Sequence, residues 1–213
     1  MKIAVIGGSG HLGHAVALEA LSRGHQVTAI ARDVSRIKDL PGAAVVSADV
    51  FDHGAIARAV AGHDAVVAAA KGAAGQPAAA PLVAHALLDV LPKAGVRRLL
   101  FLGGGGSLEA APGQRFVDLP QFPPEHKSEA LGQAEALGLL RGSGDALDWS
   151  YLSPPPVHLV DSEKTGAYRV QAGNTPITDT GGDSRISVAD YAAAAVDDLE
   201  RGTFVGQRFT AAY

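Results

Sequence analysis

The chain has 213 residues, 47% of them apolar, and a formal net charge of −4 at neutral pH. This composition supports a packed core and excludes a wholly disordered chain. The acidic balance makes nucleic acid and anionic membranes poor partners. The absence of cysteine excludes disulfides and thiolate chemistry.

The N-terminal segment does not have the pattern of a secretion signal. Its apolar run covers only residues 3–6, and glycine follows at once. No apolar stretch reaches the length that crosses a bilayer. We therefore expect a cytoplasmic protein without a membrane partner. The sequence leaves monomer and homodimer open, and no histidine pair has the helical spacing with a carboxylate that would predict a metal site.

Short apolar runs alternate with helical patterns over the first 153 residues. The alternation predicts an α/β fold, with a doubly wound parallel sheet and helices on both faces. The predicted strands are 3–6, 26–31, 43–48, 64–70, 97–102 and 148–152. The predicted helices are 12–23, 54–60, 79–91 and 125–141.

The alternation stops at Pro154–Pro156, which forbids a continuing helix. Residues 154–185 are rich in Gly, Thr, Asp and Pro and are predicted to form a small C-terminal cap on a single domain of residues 1–213. Ser187-Val188-Ala189-Asp190 is a capping box that begins a last helix, ending near residue 200. Short strands are predicted at 167–171 and 207–212.

The most informative motif is a glycine turn between the first strand and the first helix. Gly7 permits a tight turn, Gly10 lets the backbone approach a diphosphate, and Gly13 lets the helix pack closely on the strand. Free N–H groups and the helix dipole favour an anion here. The predicted ligand is the pyrophosphate of NADP(H), and the turn residues predicted to surround it include Ser9, His11 and Leu12.

Arg32 follows the second strand, nineteen residues after Gly13. An acidic residue at this place would bind the ribose 2′-hydroxyl of NAD, whereas arginine suits a 2′-phosphate. Arg36 lies one turn later and can join it. Asp33 can instead cap the next helix, so NAD(H) stays possible beside NADP(H).

Two further strand ends are candidates for the cofactor. Asp49 and Val50 end the predicted third strand, where an adenine edge would lie; a turn aspartate is the alternative. Ala69 and Ala70 end the predicted fourth strand and would leave room for a ribose. Alanine is also common in an ordinary core.

Several motifs together resemble a known family. They are KIAVIGGSGHLG, the Arg32-Asp33 pair, GGGGS at 103–107, WSYLSPP at 149–155 and SRISVADY at 184–191. The family is the small atypical short-chain dehydrogenases described as NAD(P)H-binding proteins or NADH-flavin reductases, which are similar to biliverdin/flavin reductase and to NmrA-like proteins. The resemblance covers nearly the whole chain.

The resemblance implies a Rossmann domain that binds NADP(H) across the carboxyl ends of its strands. It also implies reduction of a flavin, quinone or similar planar acceptor. In such relatives the glycines, the arginine after strand two, the end of strand four and the Ser-Pro-Pro loop surround the dinucleotide. Here the last of these is Ser153, Pro154 and Pro155.

The Tyr-x-x-x-Lys pair of ordinary short-chain dehydrogenases is absent. Tyr151, Tyr168 and Tyr191 are followed four residues later by proline or alanine, and Tyr213 ends the sequence. This argues against carbonyl reduction, epimerase and dehydratase chemistry by that pair. Flavin reduction stays compatible, because hydride transfer needs stacked rings and its proton can come from water.

The loop Gly103–Ser107 is expected to face the nicotinamide side of the crevice. Ser107 is a candidate donor to the acceptor, or an ordinary turn serine. His126, at the start of the predicted fourth helix, is a candidate proton donor, or part of an exposed helix terminus. Two functions therefore remain: an NAD(P)H-dependent reductase, and a non-catalytic redox-sensing regulator of the NmrA-like type.

Overall fold

A computed structural model describes residues 1–37, 39–69 and 78–213. The predicted cofactor residue Ala70 lies outside these described residues. No helix in the described ranges is long and apolar enough to span a membrane.

Most predicted elements are present with small changes in their bounds. The strands are β1 (Lys2–Ile6), β2 (Gln26–Ala31), β3 (Ala44–Ser47), β4 (Ala65–Ala68), β5 (Arg98–Leu102), β6 (Glu109–Ala111), β7 (Gln114–Arg115), β8 (Asp148–Ser153), β9 (His158–Val160), β10 (Arg169–Ala172), β11 (Arg185–Ser187) and β12 (Gln207–Ala212). The α-helices are α1 (His11–Ser22), α2 (His53–Val60), α3 (Ala80–Lys93), α4 (Pro124–Gly142) and α5 (Val188–Arg201).

Within the described residues, eight strands form the main sheet, in the order β10-β12-β8-β5-β4-β1-β2-β3. Neighbouring strands run parallel, except that β10 pairs with β12 in the antiparallel direction. The prediction of a doubly wound α/β fold is confirmed, with one antiparallel strand at an edge.

Helices cover both faces of the sheet, as the unbroken apolar strands predict. On one face Ile3 and Val5 of β1 pack with α1 and α5. On the other face Ala4 and Ile6 pack with α2, α3 and α4. Successive side chains of a strand point to opposite faces, so β1 is buried on both sides and lies at the centre of the core.

The segment predicted as a cap is partly an extension of the sheet. The strand expected at 167–171 is β10, Arg169–Ala172, and it joins the main sheet beside β12. β9 and β11 form a small parallel pair that is separate from the main sheet. Propensity alone does not show which partner an edge strand takes, because that choice depends on tertiary pairing.

Candidate functional site

The candidate site lies where the order of the strands reverses, between β1 and β4. Ligands of doubly wound sheets bind outside the carboxyl ends of the strands at such a point. The glycine turn of residues 7–13 follows β1 at this edge. A Cβ added at Gly13 would approach the Ala69 Cβ at 3.0 Å. The first helix and the end of β4 therefore meet at the predicted cofactor residues.

The turn needs glycine at the positions that the motif predicts. Gly7 has φ +86°, which is the left-handed region, and its N–H donates to the Ile30 carbonyl at 2.9 Å. A Cβ at Gly13 would collide with the Gly7 carbonyl. Gly10 is the N-cap of α1 and provides no side-chain cap. The N–H groups of the first turn lack partners within the helix, so they are available to an anion.

Gly8 is a structural requirement that sequence reasoning missed. A Cβ there would come within 2.9 Å of the Ala29 Cβ on β2. The double glycine Gly7-Gly8 was the available pattern for this close contact. Of the other turn residues, Ser9 and Leu12 are half-buried and His11 is exposed.

His11 connects the glycine turn to the C-terminal segment. Its Nε2 lies 2.8 Å from the Asp161 Oδ1, and both side chains are largely exposed. Farther along α1, Lys164 Nζ lies 2.7 Å from the Glu19 carboxylate. The segment after β9 therefore crosses α1 beside the turn, and a phosphate at His11 would compete with Asp161.

Arg32 lies directly after β2 and is exposed. Its carbonyl accepts from Ser47 Oγ at 3.0 Å. The neighbouring Asp33 carboxylate accepts from Ser35 N at 3.1 Å and from Ser35 Oγ at 2.6 Å, and these bonds lower the pKa of Asp33. Asp33 thus caps the 3₁₀ turn Val34–Arg36, as the alternative predicts, and Arg32 supplies the exposed charge at the strand end.

Asp49 and Val50 lie beyond the end of β3, which is shorter than predicted. Asp49 Oδ1 accepts from Phe51 N at 3.0 Å, so this side chain forms a turn. Val50 is buried. The adenine role of this pair stays a prediction.

The loop after β5 packs against the proline loop after β8. Gly103 N donates to the Leu152 carbonyl at 2.8 Å, and a Cβ at Gly103 would collide with the Tyr151 ring. A Cβ at Gly105 would lie 2.7 Å from the Pro154 carbonyl oxygen. These contacts bring together the predicted residues Gly103, Ser107, Ser153, Pro154 and Pro155.

Two tyrosines, Tyr151 and Tyr191, are fully buried in the core. Tyr151 donates its hydroxyl to the Gln133 carbonyl at 2.9 Å, and Tyr191 donates to the Leu152 carbonyl at 2.8 Å. Burial raises the pKa of Tyr151 to about 12 and raises that of Tyr191 well above its ordinary value. Neither group is placed to exchange a proton with a substrate.

Ser107 and Ser153 are buried and share one partner, Arg208. Sequence reasoning missed Arg208, although a single arginine in the apolar strand QRFTAA was a visible irregularity. Ser107 Oγ accepts from Arg208 Nη2 at 3.0 Å. The Ser107 hydroxyl proton therefore stays available to another acceptor.

His126 lies exposed in the first turn of α4. One turn later, Ala130 packs under the loop, since a Cβ at Gly106 would approach the Ala130 Cβ at 2.8 Å. Residues four apart share a helix face, so His126 lies on the side of α4 that packs against Gly103–Ser107. Among the residues that the structure describes, no cluster of three metal-binding side chains occurs.

The geometry fits a dinucleotide. The turn is too tight for side chains at Gly8 and Gly13, the helix that follows it has no side-chain cap on its first-turn N–H groups, and an exposed arginine follows the second strand. The fold and the turn together define a Rossmann-type nucleotide-binding protein.

The chain belongs to the family described as NAD(P)H-binding, whose pattern matches residues 7–199. The predicted family is thereby confirmed, and the cofactor is a nicotinamide dinucleotide. The chain is 39% identical over 212 residues to the Bacillus subtilis protein YwnB, and the match covers 99% of this chain and 97% of that relative.

Solved structures of similar proteins cover the whole chain. A "putative exported protein" from Burkholderia pseudomallei is 42% identical, with a TM-score of 0.89 and full coverage of both chains. A "putative NADH-flavin reductase" from Streptococcus pneumoniae is 34% identical, with a TM-score of 0.83 and 99% of that chain covered. A "putative epimerase" from Bacteroides thetaiotaomicron is 36% identical, with a TM-score of 0.87 and 96% of that chain covered.

Proposed function

We propose that this protein is an NADP(H)-dependent oxidoreductase that reduces a flavin, a quinone or a similar planar acceptor. The observation that carries the proposal is the uncapped start of α1 at the strand-order reversal, with exposed Arg32 at the end of the next strand. Membership of the NAD(P)H-binding family supports an oxidoreductase, and so does the likeness to the S. pneumoniae protein.

The first turn of α1 would hold the pyrophosphate through the N–H groups of His11 to Gly13, since the Gly10 N–H already donates to the Gly7 carbonyl. Arg32 and Arg36 would hold the ribose 2′-phosphate, because a guanidinium forks onto phosphate oxygens. Ala69 would leave space beside the turn, and Gly103 with the proline loop would face the nicotinamide. The bound cofactor supplies a hydride.

Two side chains would act toward the acceptor. Ser107 accepts a hydrogen bond from Arg208, and its hydroxyl would donate a hydrogen bond to a polar atom of the acceptor. His126 is exposed at the start of α4 and would deliver a proton to the acceptor. A planar acceptor suits this site, since hydride transfer between stacked rings depends on positioning more than on a dedicated acid.

A second candidate is a non-catalytic regulator that binds NADP(H) and reports its redox state. The burial of Tyr151 and Tyr191 favours it, because both hydroxyls bond backbone carbonyls and neither tyrosine precedes a Tyr-x-x-x-Lys lysine. The same observation makes the epimerase chemistry named for the B. thetaiotaomicron relative a weaker candidate for this chain.

One experiment separates these candidates. The purified protein is mixed with NADPH and with FMN, FAD or menadione, and the loss of absorbance at the nicotinamide band is followed against the protein-free reaction. Enzyme-dependent turnover supports the reductase. Tight NADPH binding without turnover of any acceptor supports the regulator. No binding of NADPH or NADH at millimolar concentration would overturn both.

A further inference from the structure

Arg208 is a buried arginine that contacts the loop after β5 and the end of β8. It lies on β12, opposite Tyr151 of β8, and only 3% of it is exposed. Its guanidinium carbon lies 6.0 Å from the centre of the Tyr151 ring. The side chain thus points to the sheet face that also carries Tyr151 and Ser153.

The guanidinium joins the two loops that line this side. Nε donates to Ser153 Oγ at 2.9 Å, and Nη1 donates to the Ser107 carbonyl at 3.0 Å. Nη2 donates to Ser107 Oγ at 3.0 Å and lies 3.5 Å from the Gly104 carbonyl. One side chain therefore fixes Ser107 relative to Ser153, although Arg208 is separated by 101 residues from the first and by 55 from the second.

The charge of Arg208 is not neutralised by these partners. All four bonds go to neutral oxygens, and burial lowers its pKa to about 10, so the side chain is still a cation at neutral pH. The other groups that act on it are Tyr151, Glu109 on β6 and Arg141 on α4, and the last two act in opposite directions. In the part of the chain that the structure describes, no carboxylate forms an ion pair with Arg208. A buried cation without an ion-pair partner costs free energy, and such groups concentrate at functional sites.

We propose that Arg208 is a positioning residue that holds Ser107 toward the acceptor and makes this end of the crevice favour a negatively charged reduced acceptor. This inference rests on the proposed reductase function. A neutral acceptor that takes up a hydride gains one hydrogen nucleus and two electrons, and the nicotinamide that gives it becomes a cation. The acceptor is then an anion until a proton arrives from His126 or from solvent, and a fixed buried cation stabilises that anion.

The test is an equilibrium measurement that needs no turnover. Riboflavin is titrated into the protein without nicotinamide, once oxidised and once photoreduced under anaerobic conditions, at mildly alkaline pH. Wild-type protein is expected to bind the reduced form more tightly than the oxidised form. Arg208→Gln, which keeps hydrogen-bond donors but removes the charge, is expected to lower that preference by about tenfold or more.

Arg208→Lys keeps the charge and is expected to retain the preference within about threefold. Arg169→Met removes an exposed charge from neighbouring β10 and is the matched control. In steady state, Arg208→Gln is expected to lower kcat while the Kd of NADPH stays unchanged. Its rate is expected to fall as pH rises, because the reduced acceptor then depends on a proton for neutralisation.

The outcomes separate this inference from the proposed function. If wild-type protein binds neither form of riboflavin, nor a quinone and its quinol, the acceptor class is wrong and both proposals fail. If wild type binds the acceptor without preferring the reduced form, or if Arg208→Gln keeps the preference, only the role of Arg208 fails. Should Arg208→Gln not fold, the comparison of wild type with Arg208→Lys still tests the proposal. Loss of the preference in the lysine variant would show that the positive charge is not its cause.

Discussion

Gly13 at the start of α1 lies against Ala69 at the end of β4, so close that a Cβ on the glycine would meet the alanine Cβ at 3.0 Å. The same Cβ would collide with the carbonyl of Gly7. One absent side chain thus permits both the turn after β1 and the approach of the helix to the neighbouring strand. We expect the pyrophosphate to lie beside this contact, against the N–H groups in the first turn of α1.

Gly13→Ala is therefore expected to damage stability and cofactor binding together. Overpacking of this kind costs about 1–3 kcal/mol, and displacement of the first-turn N–H groups should weaken NADPH by about tenfold or more. Gly138→Ala is the matched control, because a Cβ there meets nothing within 4 Å and helical alanine is favoured by about 0.5–1 kcal/mol. Urea unfolding and NADPH titration of both variants check this. Equal NADPH affinity in the two would contradict the assigned cradle.

Arg32→Ala is expected to weaken NADPH far more than NADH. The guanidinium is exposed at the end of β2, and the adjacent Asp33 carboxylate accepts hydrogen bonds from Ser35. Loss of a charge-assisted contact to the 2′-phosphate should cost about 1.5–3 kcal/mol, and NADH has no such phosphate. Fluorescence titration with both dinucleotides measures the difference, with Arg201→Ala on the exposed end of α5 as control. Parallel losses for NADPH and NADH would refute the 2′-phosphate role.

Local pattern predicts β1, α1 and the glycine turn, because their determinants lie within a few residues of one another. The role of Arg208 could not be predicted in this way. Its partner Ser107 is separated from it by 101 residues, and the pairing exists only after β12 joins β8. The placement of β10 in the main sheet had the same obstacle, because its exposed residues carry no burial pattern that selects a partner.

The sequence predicts the loop after β5 only in part. The glycine run at Gly103–Gly106 predicts an unusual loop, but the first glycine is required by the Tyr151 ring on the neighbouring strand β8. The sequence also suggests Ser107 as a site residue without revealing that it is buried and bonded to an arginine. Sequence motifs therefore identify candidate residues. The contacts that support these residues depend on which strands pair in the folded chain, and no motif shows that.

Asp190 is expected to stabilise the C-terminal segment in a pH-dependent way. Burial by itself raises the pKa of its carboxyl, but hydrogen bonds from Tyr213, Thr165 and Gly166 outweigh it and lower the pKa to about 2. Because the folded-state pKa lies below the unfolded value, the stabilisation is complete above about pH 4 and is lost as pH falls toward 2.

Asp190→Asn is therefore expected to cost about 2 kcal/mol near neutral pH, and the difference from wild type should shrink as the solution is acidified through this range. Denaturant unfolding at a series of pH values measures it. Asp145→Asn, an exposed carboxylate in the turn before β8, is the control and should show no such trend. A gap between Asp190→Asn and wild type that stays constant down to pH 2 would show that the carboxylate charge is not the cause.

Tyr151→Phe tests whether a tyrosine serves as the general acid of this site. The hydroxyl donates to the Gln133 carbonyl and accepts from Gly104 N at 3.2 Å, and its pKa of about 12 keeps it protonated at neutral pH. Removing it leaves buried partners unpaired, so unfolding free energy should fall by about 1–3 kcal/mol. Turnover with a flavin or quinone should stay within about threefold of wild type, with an unchanged pH profile, because the proton comes from elsewhere. A tyrosine serving as general acid would instead lose about 10²–10⁴-fold. Steady-state rates over a range of pH, measured below the melting temperature of the variant, distinguish a structural role of Tyr151 from a general-acid role. A loss of about 10²-fold or more would assign the catalytic role to Tyr151 instead of Ser107 and His126.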